Sequence, residues 1–407
     1  MRSITDILRS QIGFIKYAIL NYLDKALTFA IPLIVLYVFK DKGLYNEIEY
    51  IYSIAAVAAV AIELGVSNYF LYAYRQADNR NLLVRNVRGW FLLQLAIYQL
   101  LGITLLSVAA LCGLDVTFTY IYILVRTLYM FFLSFFIVYF RLIDRPSKIF
   151  IYSLSANLIT ILLLAVARFV LHQIDLAYLF LSQMALLLTA FIYYMSQRSQ
   201  ISFSGLVSYV KQSLTFAWPI LLNVFLFMFI SNYGKIYARN FLSQDDMFHI
   251  SFVQRVSITI WVAHASAVGY LSKRIFIDRQ AGVSRSVLGL YSVMVAGCVG
   301  LVFLAFFLLK RLHSAISVDI DAVTILIIAH TVAWCYVSFF EMYVNRINKN
   351  KYILLFSLIA SAVFGCILLL NMGEPLYTIS VGMMGSMVCN LAMVLWFLHT
   401  RYGRICV

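Results

Sequence analysis

The chain is dominated by apolar stretches of about 20 residues, the length a helix needs to cross the hydrocarbon core of a bilayer. Twelve such stretches follow one another, from Tyr17 to Phe39 through Leu376 to His399, with short connections between them. In hydrocarbon every backbone N–H and C=O must be satisfied within the protein, so a helix bundle or a closed barrel are the only folds open to such a sequence. The stretches are too long for barrel strands and lack the in–out alternation over about ten residues that barrels show. The chain also has only 4 prolines. The expected fold is therefore an all-α polytopic membrane protein with twelve transmembrane helices. A composition of 63% apolar and 12% charged residues excludes a water-soluble domain, whose surface would need more charge.

Lysine and arginine set the expected orientation. They gather in alternate connections: Arg75, Arg80, Arg85 and Arg88 after the second span, Arg141, Arg145 and Lys148 after the fourth, Lys273, Arg274, Arg279 and Arg285 after the eighth. The opposite connections carry only Lys40, Lys42, Arg239, Lys310 and Arg311. The positive-inside rule then places both termini and the central connection in the cytoplasm. The same bias accounts for most of the formal charge of +14, which in a soluble chain would point to nucleic acid. The first helix is expected to insert as an uncleaved anchor, because residues 1–16 are polar and basic and no small-residue cleavage site follows the first apolar run.

The polar, serine-rich stretch from Gln197 to Pro219 pauses the apolar pattern at its midpoint. It ends in Leu214-Thr215-Phe216-Ala217-Trp218-Pro219, which repeats Leu27-Thr28-Phe29-Ala30-Ile31-Pro32 of the first span with one change. A duplicated half is the expected reading: residues 1–196 and 214–407 as two six-helix halves, joined by a cytoplasmic connection over 197–213. Pro32 and Pro219 can each break a helix there. Ala296-Gly297-Cys298 and the run from Gly382 to Ser386 are expected to permit close helix packing. The cysteines have neither CxxC nor metal-ligand spacing and read as small membrane residues. Without a Walker A string, an HExxH or a GxSxG in a site context, no catalytic residue, metal or cofactor is expected.

Five basic residues fall inside the predicted spans: Lys25, Arg126, Arg168, Lys235 and Arg255. A charge at membrane depth is costly unless it is paired or faces water, so each is a candidate for function. Acidic company is scarcer, namely Asp24, Glu63 and Glu341. Lys25 and Glu63 lie roughly 12–14 Å from the cytoplasmic ends of their spans and are expected to pair, whereas Asp24, about 100° round the helix from Lys25, is expected on another face. Arg126 and Arg255 lie at matching depth, roughly 10–12 Å from the outer ends of their spans, one in each half. Arg168, Lys235 and Arg239 sit nearer the outer surface, where long side chains can snorkel. His264 and His330 are expected to hydrogen-bond across helices.

Gly43-Leu44-Tyr45 after the first span, Glu63-Leu64-Gly65 in the second and Leu214 to Pro219 opening the seventh resemble short motifs of the multidrug/oligosaccharidyl-lipid/polysaccharide flippase superfamily. Within it the chain is similar over its whole length to the bacterial O-antigen flippases. It differs late in span seven, where many relatives carry an acid and this sequence reads Asn232-Tyr233-Gly234-Lys235-Ile236. The resemblance implies a bacterial inner-membrane flippase that moves an undecaprenyl-diphosphate-linked oligosaccharide to the periplasmic leaflet by alternating access. A diphosphate would be held by arginine and lysine, so Lys25, Arg126, Arg255, Lys235 and Arg239 become candidate substrate-binding residues. Glu63 and Asp24 become candidates for ion coupling. Membrane lipids and a polymerase of the same pathway are the implied partners, and nucleic acid is not. Two other readings stand beside it. One is a multidrug or metabolite exporter, for which cationic cargo would favour an acidic lumen. The other is an O-antigen polymerase or lipid-sugar-dependent glycosyltransferase, in which Glu47-Ile48-Glu49 would supply paired acids.

Overall fold

The structure is a computed structural model, and it describes residues 4–63, 69–70, 73–74, 77–113, 117–142, 147–172, 174–196, 206–236, 241–277, 284–312, 318–347, 349–370 and 373–402. Twelve long helices run through them: α1 (Ile4–Val38), α2 (Lys42–Glu63), α3 (Arg80–Leu111), α4 (Phe118–Leu142), α5 (Ser147–Val166), α6 (Leu176–Ser196), α7 (Leu206–Ile236), α8 (Gln244–Ile277), α9 (Arg285–Leu312), α10 (Ala322–Arg346), α11 (Asn350–Leu370) and α12 (Pro375–Tyr402). One turn of π-helix, Ala167–Leu171, extends α5. Among the described residues, nine helices contain stretches long and apolar enough to cross a membrane. The exceptions have visible causes. α2 carries Glu47 and Glu49, α8 carries Asp245, Asp246 and Arg255, and α6 is apolar over the shorter run Leu176–Thr189.

Local chemistry sets several helix starts. The Asp41 carboxylate accepts from Leu44 N at 2.8 Å, Asn79 Oδ1 from Leu82 N at 3.0 Å, and Asp321 Oδ1 from Thr324 N at 2.8 Å. At α8 the capping is reciprocal, with Asp246 N donating to Ser243 Oγ and Ser243 N to Asp246 Oδ2. These bonds satisfy amides that have no partner in the first turn. α3 stops where Gly113 takes φ +76°, a conformation glycine adopts without strain. The two prolines do not end their helices: α1 runs through Pro32 and α7 through Pro219.

Contacts gather into two compact units, residues 26–225 and residues 226–407 together with 1–25. In the first, α2 and α6 pack on α4, and α5 packs on α4 and α6. Its core joins Ile31, Val35, Ile48, Ile51, Tyr122 and Leu179. An aromatic column of Phe91, Phe131, Phe135 and Tyr139 fixes α3 against α4, with ring centroids 4.1 Å apart between Phe91 and Phe135. In the second unit α10 packs on α8 and α12, α9 on α8, and α11 on α12. Phe227, Ala333, Val337 and Met387 form its core. Lipid is as apolar as leucine, so close packing rather than escape from solvent holds such interfaces. Small residues allow it where expected at Gly382 and Gly385, whose missing Cβ atoms would lie 3.0 Å from Phe364 and 2.9 Å from Ile367 of α11. Gly297 does not act this way; a Cβ there meets nothing within 4 Å. Large apolar side chains stand exposed along α3, α9 and α11, among them Leu100, Leu105, Leu290, Val293, Leu358 and Leu369. Such exposure suits a lipid-facing surface and not an aqueous one.

Candidate functional site

Arg126 is the feature from which the site is built. On α4, Tyr122, Arg126 and Tyr129 recur at i, i+4 and i+7 and therefore share one face. That face looks into a cleft lined also by Thr28 and Ile31 of α1, Tyr52 of α2, Asn157 and Thr160 of α5, and Gln183 of α6. The guanidinium lies over the Tyr52 ring at 3.9 Å from its centroid and over the Tyr129 ring at 5.0 Å. Both contacts are cation–π interactions, strengthened by the burial of the guanidinium. A relay fixes the first ring. Gln183 Nε2 donates to the Tyr122 hydroxyl at 2.9 Å, which leaves the Tyr122 proton for Tyr52, to which it is hydrogen-bonded. On the opposite wall Asn157 Nδ2 donates to Thr28 Oγ1 at 2.9 Å and Thr160 Oγ1 to Ser182 Oγ at 2.8 Å.

What Arg126 lacks is more telling. It is buried, only 8% exposed. Among the described residues it has no carboxylate within ion-pair reach and no acceptor within hydrogen-bond reach, and its Nε is a buried donor without a partner. A buried guanidinium carries five donors and a full charge, and two π faces satisfy only part of that demand. Chemically, the arrangement is a buried positive charge with donor capacity to spare.

The other candidates fall in different surroundings. Lys235 and Arg255 are buried and engaged by partners. Lys25 pairs with Asp24, Nζ to Oδ2 at 3.6 Å, which corrects the expectation that Asp24 lies on a face Lys25 cannot share. The four-carbon stem of lysine spans the 100° offset between adjacent helical positions, and Asp24 is the buried partner at 3% exposure. Glu63 closes α2, half-buried and with partners of its own; it belongs to one unit and Lys25 to the other. Arg168 stands exposed in the π turn, as a snorkelling side chain would. Arg239 lies outside the described residues.

Several residues escaped the sequence reading. Arg88, grouped there with the loop cations, is buried in α3, hydrogen-bonded to the Tyr139 hydroxyl with its guanidinium 4.6 Å from that ring. Tyr52 and Gln183 gave no signal, but the tyrosines four before and three after Arg126 were legible at helical spacing. The histidines behave as expected. His264 Nδ1 meets the Tyr291 hydroxyl at 2.6 Å and its Nε2 meets Ser338 Oγ at 3.1 Å, while His330 lies between Ser231 Oγ and the Met383 carbonyl. Tyr291 donates to the Cys335 carbonyl, so its oxygen accepts from His264, whose proton is thereby on Nδ1. Glu47 accepts from Thr119 Oγ1 and Glu49 is buried in α2, so the two do not form the exposed acid pair that a transferase would present.

No protein-family profile and no curated protein sequence matches this chain. Solved structures do. The lipid II flippase MurJ in an inward closed conformation matches at 14% identity over 94% of this chain and 87% of that one, with a TM-score of 0.60. The MATE transporter VcmN of Vibrio cholerae in its bent form matches at 13% identity over 95% of each chain, TM-score 0.57. A MOP superfamily transporter from Pyrococcus furiosus matches at 11% identity over 96% of each, TM-score 0.52. The chain thus has the fold of the MOP-superfamily transporters. The proteins it matches are transporters and a flippase, not enzymes.

Proposed function

We propose that this chain is a flippase of the bacterial inner membrane, with twelve spans in two six-helix halves and both termini cytoplasmic. It moves an undecaprenyl-diphosphate-linked oligosaccharide, an O-antigen repeat unit, to the periplasmic leaflet by alternating access. The observation that carries the reading is the unpaired, buried Arg126 inside a helical membrane fold, because an anionic amphiphile supplies the charge that no described side chain does. The likeness to a lipid II flippase supports a lipid-linked cargo. Arg126 and Arg255 are assigned to the diphosphate, with Lys25, Lys235 and Arg239 adding positive charge and Glu63 and Asp24 available to couple an ion. The likeness to MATE transporters makes multidrug export the second reading, which Arg126 disfavours for cationic drugs.

Complementation tests the proposal. In a bacterial strain lacking its own O-antigen flippase, expression of this chain should restore surface polysaccharide and clear lipid-linked repeat units from the cytoplasmic side. Continued accumulation of those units at normal membrane levels of the protein would count against it.

A further inference from the structure

We infer that the cleft beside Arg126 binds one small inorganic anion, chloride under cellular conditions. Three observations lead there. First, the guanidinium has no carboxylate or acceptor among the described residues, so none of them compensates its charge inside a membrane helix. Second, no lining residue is acidic; the walls are Ile31, Ala156, Leu186, two tyrosines, two threonines and two amides, so nothing in them repels an anion by charge. Third, the cleft has room for little more than one water-sized group. A diphosphate does not fit in this conformation.

A single water is the competing occupant. It could bond Gln183 Oε1, which has no partner, but it would leave the arginine charge uncompensated. The inference rests on the surroundings of Arg126 and not on the flippase reading; an arriving phosphate would displace the halide, and each idea can fail without the other.

The test uses the purified full-length protein in detergent. Melting temperature is measured in gluconate buffer as chloride or bromide replaces gluconate at constant ionic strength. Wild type should show a saturable rise of about 2 °C or more, because a ligand of the native state stabilises it by mass action. Arg126→Gln should lose the rise and Arg255→Gln should keep it. Crystals of the wild type in bromide should show an anomalous peak beside the Arg126 guanidinium, which decides the matter even if Arg126→Gln does not fold. Equal melting temperatures in chloride and gluconate, a rise retained in Arg126→Gln, or no bromide peak would overturn the inference in favour of water alone.

Discussion

Replacing Arg126 with methionine should abolish transport without a large loss of stability. An arginine at membrane depth costs about 2.5–3.5 kcal/mol on insertion scales. Against that stand the contacts with Tyr52 and Tyr129, each worth about 0.5–2 kcal/mol as a cation–π interaction. Methionine is unbranched and fills much of the same space, so the cavity term is small. The two nearly offset, leaving the variant between about 1.5 kcal/mol less stable and about 2.5 kcal/mol more stable than wild type. In chloride-free gluconate buffer the variant should therefore melt within a few degrees of the wild-type temperature, while surface polysaccharide in complemented cells falls to background. Arg126→Lys should keep partial activity, since lysine is a point charge and lacks the planar fork. A loss of about 3 kcal/mol or more in Arg126→Met is the signature of a broken buried ion pair, and would refute the claim that Arg126 has no ion-pair partner among the described residues.

Gly382→Val should destabilise the second unit by about 1–3 kcal/mol, because its new methyls meet the Phe364 ring, whereas Gly297→Ala should be neutral or stabilising by up to about 1 kcal/mol; thermal melting in detergent compares them. Tyr291→Phe strands the His264 Nδ1 proton and should cost about 1–3 kcal/mol in the same assay. Single cysteines at Asn46, Gln173 and Gly373 should label from outside with an impermeant maleimide while those at Asn79, Ser199 and Asn348 do not; labelling of the latter in intact cells would overturn the twelve-span topology.

The helices were legible because lipid leaves few choices: an apolar stretch of about twenty residues is satisfied there as a helix, and each of the twelve stretches overlaps one of the long helices. The site was half legible. Arg126 stood out as a charge in an apolar span, but periodicity along one helix cannot reveal that Tyr52 from α2 and Gln183 from α6 meet it. Asp24 was misplaced because a rigid 100° rule was applied to the flexible side chain of Lys25. Arg88 was lost in a run of loop arginines, since nothing in the spacing shows that α3 begins at Arg80 and carries Arg88 into the bundle. Pro32 and Pro219 read as possible helix breaks, yet α1 and α7 run through them, because a bundle can accommodate a proline without ending the helix.

The most direct measurement is translocation in proteoliposomes. Purified protein is reconstituted with a lipid-diphosphate-linked oligosaccharide carrying a label that an impermeant reagent can reach only from outside. The account predicts that wild type exposes the inner-leaflet label over time, that Arg126→Lys does so more slowly, and that Arg126→Met does not do so above protein-free vesicles. Equal rates for Arg126→Met and wild type, or no translocation by wild type, would contradict it.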